Sequence, residues 1–406
     1  MEKEEEKKEK VEKKIIPTVT FSLCSSPPPP PPPALPALPA CLPACLPACC
    51  LPACLPACCC SSVSPFADIP LFSSHVANCR SCGSLRVDTM AESKEQRLWQ
   101  ACTDGDLEIV MEFAEDPAVD ANWGDEELGR TPFYRACGHG RLNVVEYLMK
   151  NARVDVMKPN NKGATVLFIA CAVGEKEVVS LLLADPKIDT TKPDRAGATP
   201  FFMACQQDQW EVVLLLLADP RIDPNKTMND RGSPLWQASQ NGNLMVVQHL
   251  LASGREIDTK VRSSFNDSTA AEQGRLMGTR TSKVNDETDE DFERMKTTGP
   301  LCADLIDEYE RDPMTMRHRL RCQPRLREYF IGHLFALVVF HSDNFVVTRD
   351  NADVSCKRFF DIASRLPLEV QMVLCNRVFG SPKDIILSRD SEPGFKFLVR
   401  TTTWQQ

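Results

Sequence analysis

The chain is 406 residues long, enough for two ordinary cores, since domains usually run roughly 100 to 200 residues. A formal charge of −9 argues against nucleic acid or an anionic membrane as the partner, and 43% apolar with only 7% aromatic residues favours packed helices over a β-sandwich or barrel. Of nineteen cysteines, eleven precede residue 83 and eight are scattered beyond it, which excludes a disulfide framework and implies a reducing compartment, cytoplasmic or nuclear.

Residues 1–89 read as disordered low-complexity sequence. Met1 to Lys14 alternates Glu with Lys and has no apolar face to bury. Pro27 to Pro33 and the Leu-Pro-Ala-Cys tract from Leu35 to Cys60 break any helix, so no transmembrane segment is expected there. The charged first dozen residues exclude a cleavable signal peptide. A polyproline ligand and a palmitoylated cysteine cluster are sharper readings of the same tract. Cys79-Arg-Ser-Cys82 lacks a second pair at metal-ligand spacing, so no metal site is expected. Helical patterning begins at Met90-Ala-Glu-Ser-Lys-Glu-Gln-Arg-Leu98, which leaves Met90 as an alternative start with the upstream segment not native coding sequence.

From about Ala91 to Asp258 a period of 34 residues governs the chain. Ala136, Ala170, Ala204 and Ala238 keep it, as do Thr131, Thr165, Thr199 and Ser233, and Leu148, Leu182, Leu216 and Leu250. The pairs Val144-Val145, Val178-Val179, Val212-Val213 and Val246-Val247 form a fourth track, and Ala101 to Val110 starts an earlier copy one residue out of phase, giving about five copies. In Gly197-Ala-Thr-Pro-Phe-Phe-Met-Ala-Cys205 the Thr is an N-cap and the Pro a first helical residue. A second helix is predicted over Trp210 to Ala218, stopped by Asp219-Pro220. One such helix pair cannot bury its apolar stripe alone, so the copies must stack into a curved solenoid.

Gly129-Arg-Thr-Pro132, Gly163-Ala-Thr-Val166, Gly197-Ala-Thr-Pro200 and the valine-leucine runs resemble the ankyrin repeat, with Arg231-Gly-Ser-Pro234 shifting its Gly by one. The resemblance covers about 170 residues, and the array is placed at residues 91–280. Two departures stand out. Tyr134, Phe168, Phe202 and Trp236 replace the family's usual His, so aromatic packing is expected where the imidazole hydrogen-bonds, and the Asp-Pro-x-Ile-Asp endings at Asp185 and Asp219 replace a Gly stop. Lys94, Glu95, Gln96 and Arg97 read as a polar N-terminal cap, and Ser268 to Arg275 as a degenerate sixth copy that caps the other end.

Asn285 to Arg294 is strongly acidic, so residues 281–298 read as a linker and residues 299–400 as a small helical module. Leu301, Leu305, Ile306 and Tyr309 are spaced for one helical face, and Phe330 to Phe340 reads as a buried helix in which His333 and His341 are core or boundary residues rather than metal ligands. Arg317, Arg319, Arg321, Arg325 and Arg327 form either a dock for an acidic partner or a solvated face paired with Asp307, Glu308 and Glu310. Leu366-Pro-Leu-Glu369 weakly resembles the opening of an F-box, which implies a ubiquitin-ligase adaptor, and is also a common helix start, with Pro and an acid in the first turn.

No phosphate-binding loop, nucleophile elbow or zinc-protease motif is present, so no catalysis, cofactor or small-molecule substrate is expected. The fold class predicted is all-α, and the function a non-catalytic scaffold or adaptor that binds other proteins. The ankyrin resemblance implies a concave face of hairpin tips and first helices. The matching positions are Arg130, His139, Lys162, Arg195, Gln206, Gln207, Gln240 and Asn241, polar or basic, against Glu146, Glu177 and Glu211 on the outer helices.

Overall fold

A computed structural model of the chain describes residues 93–283, 287–343 and 354–403. The N-terminal tract, the Cys79 to Cys82 pair, Met90 and Asn285 therefore lie outside the described residues. Among the described residues there are seventeen helices and no strand. The first ten form five pairs: α1 (Lys94–Asp104) with α2 (Leu107–Glu115), α3 (Pro132–Gly138) with α4 (Leu142–Lys150), α5 (Val166–Val173) with α6 (Lys176–Ala184), α7 (Pro200–Gln206) with α8 (Trp210–Ala218), and α9 (Pro234–Gln240) with α10 (Leu244–Ala252).

Each inner helix starts where its cap dictates. The hydroxyls of Thr131, Thr165, Thr199 and Ser233 accept the backbone N–H three residues on, at 3.1 to 3.2 Å. Pro132, Pro200 and Pro234 fill first-turn positions whose N–H has no helical partner anyway. Ala136, Ala170, Ala204 and Ala238 have no exposed surface, and their small side chains let successive inner helices stack closely. Cys137, Cys171 and Cys205 beside them are equally buried, and burial pushes their thiols well above the usual range, as expected of inert apolar filler. The outer helices bury Leu148, Leu182, Leu216 and Leu250.

The outer helices end on arginine as well as on Asp-Pro. Arg153 donates to the carbonyls of Ala114 and Asp116 at 2.7 Å, Arg221 to Leu183 at 3.1 Å, and Arg255 to Leu217 and Asp219 at 3.3 and 3.2 Å. Each guanidinium thus satisfies carbonyls left over at the end of the preceding copy's helix, in place of a Gly cap. The aromatic replacements also differ from expectation. The Tyr134 hydroxyl accepts from Asn160 Nδ2 at 3.3 Å, and Trp236 Nε1 donates to Ser268 Oγ at 3.0 Å, so two of the four keep a hydrogen bond to the next copy.

The array continues further than its period does. α11 (Ala270–Gly278) joins the inner stack, capped by Thr269, and α12 (Asp289–Arg311) packs against it as the outer helix of a sixth pair. Residues 289–298, expected as linker, are the first turns of this 23-residue helix. Thr288 caps it, and Asp289, Glu290 and Asp291 lie in its first turn, where negative charge complements the helix dipole. The boundary expected at Gly299 falls inside α12. There Gly274 and Gly299 bring the two backbones together, since a Cβ on either would lie 2.5 or 2.7 Å from the other's carbonyl oxygen. The buried face is Cys302, Ala303, Ile306 and Tyr309, while Leu301 is 48% exposed and lies off it.

The remaining helices are α13 (Pro313–Arg321), α14 (Pro324–Ser342), α15 (Val354–Ala363), α16 (Leu368–Val378) and α17 (Ser388–Thr403). Among them, α14 buries Phe330, Ile331, Leu334, Phe335 and Val338, and crosses α17 where Gly332 meets the Asp390 backbone. α13 packs on α10. Its Arg321 is buried, donating from Nε to Ala252 O at 2.8 Å beneath the Phe330 ring, whereas Arg319 pairs with Glu308 and Arg317 donates to the Tyr309 hydroxyl at 2.5 Å. The basic stretch is therefore partly structural rather than a single solvated face. No helix among the described residues is long and apolar enough to cross a membrane.

Candidate functional site

The loops between copies form tips that are stitched into one edge. Asn161 N donates to Leu128 O at 2.7 Å, Arg195 N to Lys162 O at 3.0 Å, Asn229 N to Ala196 O at 3.1 Å and Ser264 N to Asp230 O at 2.9 Å. Inside each tip a side chain replaces a missing backbone partner. Asp125 accepts from Arg130 N at 2.7 Å, Asn160 from Lys162 N and Ala164 N at 2.9 Å, and Asp194 from Ala196 N and Ala198 N at 3.0 and 2.8 Å. Burial nevertheless pushes the Asp194 carboxyl above its usual value. Gly197 turns at φ +84°, and any side chain there would meet Asn229 of the next tip. At the equivalent place in the following copy stands Arg231, at φ +62°.

Arg130, Lys162 and Arg195 lie on this edge. Arg130 is held by Asp125, with nitrogen to oxygen contacts of 2.7 and 2.5 Å, and its carbonyl accepts from Trp99 Nε1 at 2.9 Å. Arg135, one helical turn inward, lies 4.5 Å from the Trp99 ring. Burial and the neighbouring Arg130 lower its pKa. Arg195 is exposed.

The other five candidate residues gather elsewhere. His139 and Gln207 are C-caps of α3 and α7, Asn241 is the C-cap of α9, and Gln206 and Gln240 are last helical residues. A seven-residue helix is about 10 Å long, so these five form a second row at the far ends of the inner helices rather than one patch with the tips. His139 Nε2 and Gln206 Oε1 are closed off from solvent and have no hydrogen-bond partner among the described residues. Burial and the flanking Arg135 and Arg141 depress the His139 pKa. Asn241 is occupied by its own chain: its Nδ2 donates to Gln206 O at 2.9 Å, and its carbonyl accepts from Arg294 Nε of α12 at 3.2 Å. Thr298 of α12 likewise donates to Gly242 O at 2.6 Å.

Sequence reasoning missed Asp208 in this second row. Gly140, Gly174 and Gly242 occupy the same turn at positive φ, and Asp208 adopts φ +56° in their place. Burial raises its carboxyl pKa, with Arg294 pulling the other way, and Oδ1 has no hydrogen-bond partner among the described residues. The break in the row of glycines is the signal that marks it. Among the described residues no group of His, Cys, Asp or Glu is placed to hold a metal ion.

Residues 98–194 match the family model for ankyrin repeats, in three copies. Among solved structures, the chain resembles a crystal structure of an ankyrin repeat protein at a TM-score of 0.41 and 19% identity, over 51% of this chain and 98% of that one. No curated protein matches.

Proposed function

We propose, from the premise that residues 98–194 are ankyrin repeats and hence a protein–protein interaction module, that this chain is a non-catalytic adaptor whose tip edge receives a partner segment. The observation that carries this reading is the edge itself. Its backbone is fixed from copy to copy by hydrogen bonds of 2.7 to 3.1 Å, so a partner pays little ordering entropy on contact. The basic residues Lys162 and Arg195 suit a neutral to acidic segment, with Arg130, already paired with Asp125, as a polar neighbour. His139, Gln206, Gln207, Gln240 and Asn241 mark the far margin of the same face. An interaction screen of the wild type beside Lys162→Ala/Arg195→Ala tests the reading. The double variant is expected to lose about 1 kcal/mol or more toward the principal partner with scarcely any change in melting temperature. Identical partners at equal affinity would remove the tip edge from consideration.

A ubiquitin-ligase adaptor is the second reading, favoured by α16, which opens at Pro367 with Leu368 52% and Val370 45% exposed. A pull-down from cell extract with the full chain that retains no ligase component, where a known F-box protein does, ends it.

A further inference from the structure

α14 and α17 return across the outer helices of the second, third and fourth copies, leaving a cleft of about 510 Å³ between the two layers. This volume lies in the range of small-molecule sites and has room for a few side chains rather than a folded domain. Its array wall is apolar, with Leu142, Leu181, Ala184, Leu215 and Ala218. The opposite wall presents Tyr329, whose ring lies 4.0 Å from that of His333. His333 Nδ1 donates to Tyr329 O at 2.9 Å, and burial holds the imidazole at about 4, so both rings are uncharged near neutral pH.

The charges at the rim do not cancel. Lys176 is paired with Glu211 at 3.1 Å, Lys396 with Glu392 at 2.8 Å and Arg389 with Asp390 at 3.6 Å, while Asp219 is held by Arg221 at 2.7 Å. Glu146 and Glu177 remain. They are exposed on the neighbouring helices α4 and α6 and form no ion pair among the described residues. An apolar floor, a neutral aromatic face and two carboxylates unpaired among the described residues define the chemistry that the cleft can receive. A long cationic side chain can lie its methylenes on the floor, its charge over an aromatic ring and its donors toward the carboxylates. An acidic segment would meet like charge, and an uncharged one would leave both carboxylates unanswered.

We propose that this cleft binds a basic, apolar peptide segment, with an Arg or Lys side chain over Tyr329 answered by Glu146 and Glu177, and aliphatic neighbours on Leu181 and Leu215. The cleft is on the outer side of the array and prefers the charge opposite to that suited to the tip edge, so the two surfaces can hold different partners at once. It does not depend on the tip-edge reading.

Fluorescence anisotropy of the full chain with a labelled peptide alternating Arg and Leu is the test. Glu146→Gln/Glu177→Gln is expected to weaken binding roughly tenfold or more and to flatten its salt dependence, because two charge-assisted contacts are lost. Tyr329→Leu should weaken it as well, and Lys162→Ala/Arg195→Ala should leave it unchanged. Both glutamates are exposed, so the first variant should melt like the wild type and decides the matter even if Tyr329→Leu disturbs packing. No binding by the Arg-Leu peptide, equal binding by a Glu-Leu peptide, or full affinity in the double Gln variant overturns the proposal.

Discussion

Arg231 stands in left-handed backbone conformation at φ +62° where the three preceding tips place Gly129, Gly163 and Gly197. A side chain in that region costs roughly 1–2 kcal/mol, part of which a glycine returns as unfolded-chain entropy. Arg231→Gly should therefore stabilise the chain, by about 1 kcal/mol or less, read as a rise in melting temperature. A fall would mean that the Arg231 side chain makes a contact worth more than the strain. This strain was legible in part, because Arg231-Gly-Ser-Pro234 visibly shifts the glycine by one residue. The Arg153, Arg221 and Arg255 clamps were not. Arginine at a loop entrance ordinarily signals only exposure, and their targets lie one copy earlier in the chain.

α12 shows what a period can and cannot reveal. The 34-residue tracks predicted α8 at Trp210 to Ala218, which is where it lies. The tracks then fail, because Thr269 caps α11 two residues late and no valine pair follows. An acidic run that looks like linker is also what a helix N-terminus favours, and composition alone does not separate the two. If α12 is the outer helix of a sixth pair, residues 93–311 should unfold at a higher temperature than residues 93–283. The shorter chain lacks Cys302, Ala303, Ile306 and Tyr309, the buried face of α12, and so leaves α11 half-covered. Circular-dichroism melts compare them, and equal midpoints would make α12 an appendage.

At the scale of the whole molecule, a buried histidine, His249, and a half-buried one, His333, tie stability to pH. Burial lowers the pKa of both His249 and His333 to about 4 from the ordinary 6.5. The unfolded chain takes up protons that the native chain refuses, so stability is full above about 6.5 and falls as pH drops toward 4. His249→Phe, which keeps a ring against Trp210, should flatten the slope of melting temperature in that window, and an unchanged slope would assign it to other groups. The cleft was the least legible feature. Its walls come from residues 142–220 and 329–396, and no local pattern announces that α14 and α17 turn back over α4, α6 and α8. That return has an evolutionary cost. In a repeat array each copy touches only its neighbours, so a copy can be added without disturbing contacts further along the chain. Here an added copy between Pro220 and α14 would slide every contact by one unit, setting Tyr329 against a different pair of helices and away from Glu146 and Glu177. Geometry thereby couples the cleft to the number of copies, and relatives that keep this C-terminal fold-back are expected to vary in loop length rather than in repeat count.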